Sequence, residues 1–161
     1  MFRSGKFKFV AASFLCVLLW DANALASRNR DESIEEAAEL NGQAILCVKH
    51  HQYDQAVELL KKAITLRPDF TSAYYNLGRI YQMRNELDPA IEAFRHAVDL
   101  KADFVEALHE LGISYNRSER YGEAVECLTR AVQLQPGRAD LLTELGFAYS
   151  KTDTPSKRLG F

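Results

Sequence analysis

The sequence predicts an all-α fold, an array of antiparallel helix pairs, because one pattern of residues returns every 34 residues. Gly78, Gly112 and Gly146 share this spacing, and each is followed three residues later by a tyrosine. Apolar residues between these positions recur with helical spacing rather than with the alternation of a strand. Self-similarity at such a period is typical of repeat arrays, in which each unit packs on its neighbours.

Small residues recur at fixed places in the pattern. A glycine inside a helix costs about 0.5–1 kcal/mol relative to alanine, so its return at one position indicates that two helices approach closely there. The alanines opposite allow the same close approach. The predicted repeat-packing positions are Ala44, Gly78, Gly112, Gly146, Ala56, Ala90, Ala124, Ala63, Ala97 and Ala131.

The complete pattern resembles the tetratricopeptide repeat (TPR) family. That family has a large apolar residue, Leu-Gly, an aromatic residue, Ala, an aromatic residue or Leu, Ala, and a closing Pro. The third unit matches throughout, with Leu108, Leu111, Gly112, Tyr115, Ala124, Leu128, Ala131 and Pro136. The first unit departs at Gln43, and the second has Ala102 in place of the closing proline. The resemblance implies a right-handed superhelical array, a TPR solenoid.

Residues at the ends of the pattern predict helices at 33–50, 54–67, 71–84, 88–101, 105–118, 122–135 and 139–150. Ser33 with Glu36 has the form of a capping box, and Asp88 before Pro89 has the form of an N-cap. The resulting domain is residues 33–150, with repeats at about 37–70, 71–104 and 105–138 and a partial repeat at 139–150. A linker at 27–32 precedes it, and a tail at 151–161 follows.

The first 26 residues have the layout of a secretory signal peptide. Three basic residues among the first eight are followed by an uncharged run, Phe9 to Trp20, and then by Ala24-Leu25-Ala26. An uncleaved anchor needs about 20 apolar residues to span a bilayer, and Asp21 ends this run earlier. The sequence therefore predicts cleavage after Ala26, export to the periplasm or the exterior, and no membrane span in the mature chain.

Charge and composition argue against several functions. The chain has 20 basic and 22 acidic residues, so it lacks the strongly basic balance expected of a nucleic-acid binder.

Cys47 and Cys127 fall on the first and sixth helices, too far apart for a disulfide. His50 and His51 are adjacent and cannot face one site on a helix. No catalytic constellation, metal site or cofactor motif is evident, so we expect a protein that is not an enzyme and needs no cofactor. The glycosylation sequon at Asn116 is interpreted as incidental.

The resemblance implies a binding groove, because in TPR arrays the first helix of each repeat lines the concave face. The expected groove is apolar at its centre and basic on one rim, which suits a peptide segment or partner protein. Its lining residues are Asn41, Ile45, Lys49, Tyr75, Arg79, Met83, His109, Ile113, Arg117, Phe147 and Lys151.

Some TPR proteins grip a terminal carboxylate with a clamp of cations and asparagines. Only Asn76 matches that clamp here, and Glu106 and Glu110 stand where cations belong. We therefore expect no carboxylate clamp. An alternative function is self-assembly through the helix at 139–150, since its apolar residues point to more than one side.

Overall fold

The computed structural model describes the backbone of residues 6–152 and the side chains of residues 28–152. The side chains of the predicted signal peptide and the tail beyond Thr152 lie outside this description. The helices are α1 (Lys6–Lys49), α2 (Tyr53–Leu66), α3 (Thr71–Met83), α4 (Leu87–Leu100), α5 (Val105–Arg117), α6 (Tyr121–Leu134) and α7 (Ala139–Thr152). The described range contains no strand, and the all-α prediction is confirmed.

The helices pack as successive pairs. The closest partners are α1 with α2, α3 with α4, and α5 with α6, while α7 packs on α6 and α5. Each second helix also contacts the first helix of the next repeat. This order gives the nearest-neighbour packing expected of a repeat array, with its core divided between two adjoining clusters of buried apolar residues.

One predicted helix start and one predicted cap are wrong. α1 begins at Lys6 and continues through Ser33, whose hydroxyl donates to the carbonyl oxygen of Arg30 at 2.8 Å. A hydroxyl bonded backward in this way belongs to a helix interior and not to a cap. The N-cap of α4 is Glu86, so Asp88 and Pro89 lie inside the first turn. Both residues suit that turn. A negatively charged side chain is stabilised at a helix N-terminus, and proline lacks the backbone N–H that would have no intrahelical partner in the first turn.

The turn inside each repeat contains one residue in the left-handed conformation. His51, Asn85 and Glu119 have φ of 59°, 61° and 58°, and they share the 34-residue spacing. The N–H of Glu119 donates to the Asn116 carbonyl, and the N–H of Arg120 donates to the Tyr115 carbonyl at 2.9 Å. These two bonds form a Schellman motif, in which glycine usually occupies the left-handed position. Because none of the three residues is a glycine, the sequence alone does not predict this motif.

The glycines of the second and third repeats lie where two helices touch. A Cβ added to Gly78 would lie 2.7 Å from Cε1 of Phe94, and one added to Gly112 would lie 2.5 Å from Cγ of Leu128. Gly146 departs from the predicted packing role. It is exposed, and a Cβ there would meet nothing within 4 Å, because no described helix packs on that side of α7.

Polar side chains connect the first helices of neighbouring repeats. Asn76 donates to the side-chain oxygen of Asn41 at 2.8 Å, between α3 and α1. Gln82 on α3 donates to the carbonyl oxygen of Glu110 on α5 at 3.2 Å. These bonds hold the first helices side by side and so form one continuous surface.

Candidate functional site: the surface of the first helices

The candidate site is the surface shared by α1, α3, α5 and α7, which we call the first-helix groove. Adjacent members of this set contact one another. The predicted lining residues are all on these four helices, and most of their side chains are partly or fully exposed. Two clefts lie along the groove, one at each end.

The first cleft lies between α1 and α3 and has a volume of about 80 Å³. It is mainly apolar, and it contains the predicted groove residues Ile45, Arg79 and Met83. Ile45 is 43% exposed and Met83 is 51% exposed, which leaves both available to a ligand. The full lining is Ala44, Ile45, Val48, Leu60, Asn76, Arg79, Ile80 and Met83.

The second cleft lies between α5 and α7, and its lining is Ile113, Asn116, Arg117, Glu144 and Phe147. Phe147 is 45% exposed. Its ring lies edge-on to Tyr121, with 6.2 Å between the ring centroids. The ammonium of Lys151 lies 5.5 Å from the centroid of the same ring, within the range of a cation–π contact. This end of the groove therefore presents an aromatic side chain accompanied by positive charge.

The middle of the groove is more enclosed. Tyr75 is half-buried, and its ring centroid lies 5.1 Å from that of Phe104 and 5.9 Å from that of Phe94. Burial raises the pKa of the Tyr75 hydroxyl above its usual value. The side chain of His109 is mostly buried, at 14% exposure, with Nδ1 3.7 Å from Oδ2 of Asp140. These two predicted groove residues pack into the wall, and a ligand would touch only their edges.

The three predicted cations other than Lys151 differ in their surroundings. Arg117 donates to the side-chain oxygen of Asn85 at 2.8 Å, which ties it to the turn of the preceding repeat. The Cζ of Arg79 lies 5.9 Å from the Tyr75 ring centroid. No carboxylate lies within ion-pairing distance of Arg79 in the part of the chain described. Lys49 is exposed at the end of α1. Arg79 is thus the cation best placed to meet an acidic ligand beside the first cleft.

Residues at the carboxylate-clamp positions are engaged in other contacts. Asn76 donates to Asn41, and Glu106 pairs with Arg138, with 3.7 Å between Nη1 and Oε1. Glu110 uses its carbonyl oxygen to accept from Gln82. The groove therefore carries negative charge at its middle, where a clamp would need positive charge.

Several lining residues lie outside the set predicted from the sequence. Val48, Ile80, Asn116 and Glu144 border the clefts, although they lie outside the rows of positions chosen from the repeat. Val48 and Asn116 are two periods of 34 residues apart, so they share one position of the repeat. Whether a residue at that position borders a cleft depends on how far adjacent repeats rotate, which residue spacing does not determine.

Within residues 28–152, no cluster of three or more His, Cys, Asp or Glu side chains is arranged to hold a metal ion. None of the helices, as far as their residues are described, has the length and apolar character needed to cross a membrane.

Sequence comparison finds one curated relative of interest, the uncharacterized protein ycf37 of Cyanophora paradoxa, at 38% identity over 61 residues. That alignment covers 38% of this chain and 35% of the relative. The chain therefore matches only about a third of the relative's length.

Solved structures share the fold at low sequence identity. The first TPR domain of Spaghetti (RPAP3), bound to an HSP90 peptide, aligns with a TM-score of 0.72 at 19% identity, over 75% of this chain and 96% of that one. The Arabidopsis OM64 TPR domain gives 0.69 at 19%, over 73% and 98%. The MamA protein gives 0.69 at 24%, over 82% and 69%. At these identities the likeness establishes the fold alone.

Family models match most of the repeat region directly. The model described as "TPR repeat" matches residues 47–84. The model described as "Tetratricopeptide repeat" matches residues 71–104 and 105–138. Together they span residues 47 to 138, more than half of the 161-residue chain. On the evidence of this match, the helix pairs and the glycine contacts, the chain belongs to the tetratricopeptide repeat family.

Proposed function

We propose that this protein is a non-catalytic interaction scaffold that binds a peptide segment or partner protein in the first-helix groove. The observation that carries the proposal is the exposure of three large apolar side chains, Ile45, Met83 and Phe147, at clefts on one surface. Exposed apolar side chains in recesses are the usual anchors of protein interfaces. Peptide binding by the RPAP3 domain named above agrees with this use of the fold.

The charges around the clefts suggest the chemistry of the ligand. Arg79 stands beside the first cleft without a carboxylate partner in the described structure, and Lys151 accompanies Phe147 at the second. Apolar anchors flanked by acidic residues would complement both ends. Such charge pairing mainly speeds association, while the apolar contacts hold the ligand.

We further propose that the ligand is an internal segment rather than a free C-terminus. Glu106 and Glu110 place negative charge near the centre of the groove, where a terminal carboxylate would be repelled. The amide of Asn76, the one clamp residue present, is already bonded to Asn41.

Export remains part of the proposal, supported by the charged start, the short apolar run and Ala24-Leu25-Ala26. N-terminal sequencing of the protein from a cell-envelope fraction should begin at Ser27. Recovery of the chain with Phe9 to Trp20 still attached would count against cleavage and export.

A pulldown from the native cell envelope, compared between wild type and variants, tests the groove. Arg79→Glu combined with Met83→Ala should reduce recovery of the partner several-fold, because one change reverses the charge and the other removes an anchor. Phe147→Ala should reduce it independently at the other cleft. Circular dichroism should show all variants folded.

The matched control is Arg95→Glu on α4. Arg95 is exposed, and among the described residues its ion pair is with its neighbour Glu92, at 3.4 Å. Such surface pairs contribute little. Unchanged recovery with the groove variants, or an equal loss with Arg95→Glu, would remove the first-helix groove as the binding site.

A further inference from the structure

The first cleft differs from the rest of the first-helix groove in how its two helices are joined. Between α3 and α5, Gln82 donates to the carbonyl oxygen of Glu110 at 3.2 Å and to the hydroxyl of Ser114 at 2.8 Å. Between α5 and α7, Asn116 donates to the carbonyl oxygen of Glu144 at 3.2 Å. In both junctions an amide side chain crosses from one first helix to the next, and we call this contact an amide bridge.

The junction between α1 and α3 has apolar residues where the next junction has its amide bridge. Val48 stands one period before Gln82, and Ile80 stands one period before Ser114. A valine side chain has no hydrogen-bond donor, so it cannot bond to the carbonyl oxygen of Asn76 as the amides do in the later repeats. The space that a glutamine side chain crosses between α3 and α5 is therefore available here, and both Val48 and Ile80 line it.

The bottom of the first cleft is apolar. Leu60, Ala44 and Ile80 line the cleft, although they are only 0%, 1% and 2% exposed. The cleft volume of about 80 Å³ is about half that of a 150 Å³ apolar cavity able to hold a benzene ring. An aromatic ring is therefore too large for this space, whereas the branched end of a leucine, isoleucine or valine side chain has a suitable size.

One cation lies at the edge of this apolar space. Arg79 lines the first cleft and is exposed. The ion pairs formed among the described residues do not include it. An arginine side chain is always charged, and its planar fork of donors matches a carboxylate. A ligand that carries a carboxylate next to its aliphatic side chain therefore complements the first cleft in both shape and charge.

We propose that the first cleft binds one branched aliphatic side chain, a leucine, isoleucine or valine, of a peptide segment with an acidic residue beside it. The proposal rests on the proposed function, because it assigns the ligand chemistry of one end of the first-helix groove. Val48 and Ile80 are then residues that determine specificity, since they leave the space apolar and without an amide bridge. The second cleft is lined by the bridging residues Asn116 and Glu144, so the same side chain gains less there.

Short peptides with blocked termini test the proposal on the full chain. The probe is acetyl-Gly-Glu-Leu-Glu-Gly-amide, and NMR titration should show that it binds and shifts the methyl signals of Val48 and Ile80. The same peptide with alanine in place of leucine should bind about tenfold more weakly or worse, because apolar pockets discriminate to this degree even for one methylene. A phenylalanine in that place should also weaken binding, because its ring exceeds the space. Glutamine in place of both glutamates should weaken binding and remove its dependence on salt, since salt screens exposed charges.

Val48→Gln is the informative variant of the protein, because it introduces the residue that bridges α3 and α5. Its amide should reach the carbonyl oxygen of Asn76 and occupy the cleft, so that binding of the leucine peptide falls about tenfold or more. Val48→Phe fills the same space with an apolar ring and should have the same effect, which keeps the test decisive if the glutamine variant does not fold. Val132→Gln is the matched control, because Val132 is also a half-buried valine but lies on α6. It should leave the affinity unchanged.

Equal affinity for the leucine and alanine peptides, unchanged affinity in both Val48 variants, or no binding of the leucine peptide at millimolar concentration would overturn the proposal. The proposed function would survive these results if Phe147→Ala still reduced recovery of the partner in the pulldown. Leucine-selective binding that Val48→Gln abolishes would support the proposal. If recovery of the partner were then unchanged in every groove variant, the specificity of the cleft would stand and the proposed function would fail.

Discussion

Asn116 on α5 donates two hydrogen bonds to Glu144 on α7, one to its carbonyl oxygen at 3.2 Å and one to Oε2 at 3.0 Å. Asn116 is only 6% exposed, so this amide is an internal connection between the last complete repeat and α7. It occupies the same position in the repeat as Gln82, which bonds to Glu110. The glycosylation sequon that begins at Asn116 is therefore part of the packing, and a glycan at this nitrogen is incompatible with the folded array.

Replacing Asn116 should loosen the end of the array. Asn116→Ala removes both bonds to Glu144 and leaves a buried carbonyl with fewer donors, which typically costs about 1–3 kcal/mol. Urea denaturation measures the loss, and hydrogen exchange should place it in α7. Asn29→Ala, at an exposed position in α1, is the control and should change the free energy of unfolding little.

Gly112 and Gly146 should respond in opposite directions to the same substitution. Gly112→Ala places a Cβ against Leu128, and such overpacking costs about 1–3 kcal/mol, more than the helix gains from alanine. Gly146→Ala meets no neighbour and should raise the free energy of unfolding by about 0.5–1 kcal/mol. Chemical denaturation of the two variants measures both changes in the free energy of unfolding. A stabilised Gly112→Ala would contradict the close contact between α5 and α6.

Glu119 occupies a left-handed position that glycine would adopt more readily. The left-handed conformation costs an ordinary residue about 1–2 kcal/mol, and glycine avoids this cost. Glycine also gives the unfolded chain more conformational freedom, which cancels part of the gain in stability. Glu119→Gly should therefore raise the free energy of unfolding by about 0.5–1 kcal/mol. Glu126→Gly, inside α6, should lower it by about 1 kcal/mol. Equal effects of the two glycines in thermal denaturation would argue against the positive φ at Glu119.

Acid should remove the contribution of the Asp140 carboxylate to the stability of the fold. The hydrogen bond from Arg138 lowers the pKa of this carboxyl from 3.8 to about 2. Since the folded pKa lies below the unfolded value, the stabilisation is complete above pH 4 and disappears as the pH falls through about 2. The difference in stability between wild type and Asp140→Asn should shrink over this range. A difference that stays the same from pH 4 to about pH 2 would contradict the Arg138–Asp140 contact.

The 34-residue pattern was enough to predict the helices and their pairing, since Gly78 and Gly112 mark places where only a small residue fits. The repeat could not reveal that Gly146 has no neighbour, because sequence spacing does not show whether a partner helix is present. The capping motif at Ser33 predicts a helix start there, but it occurs inside the longer helix α1. In the groove, the pattern identified the exposed Ile45 and Phe147. It did not reveal that Arg117 bonds to Asn85, because that contact depends on side-chain reach between repeats.

The one-sided packing of α7 has a kinetic consequence. In a nearest-neighbour array, opening a terminal element breaks one set of contacts, whereas opening a central helix breaks two. Amide protons should therefore exchange fastest in α7 and progressively more slowly toward α4 and α5, as in other proteins with locally unfolding units. A ligand that covers α7 would slow exchange first at that end, and the protected region would show how far along the array its stabilising effect extends.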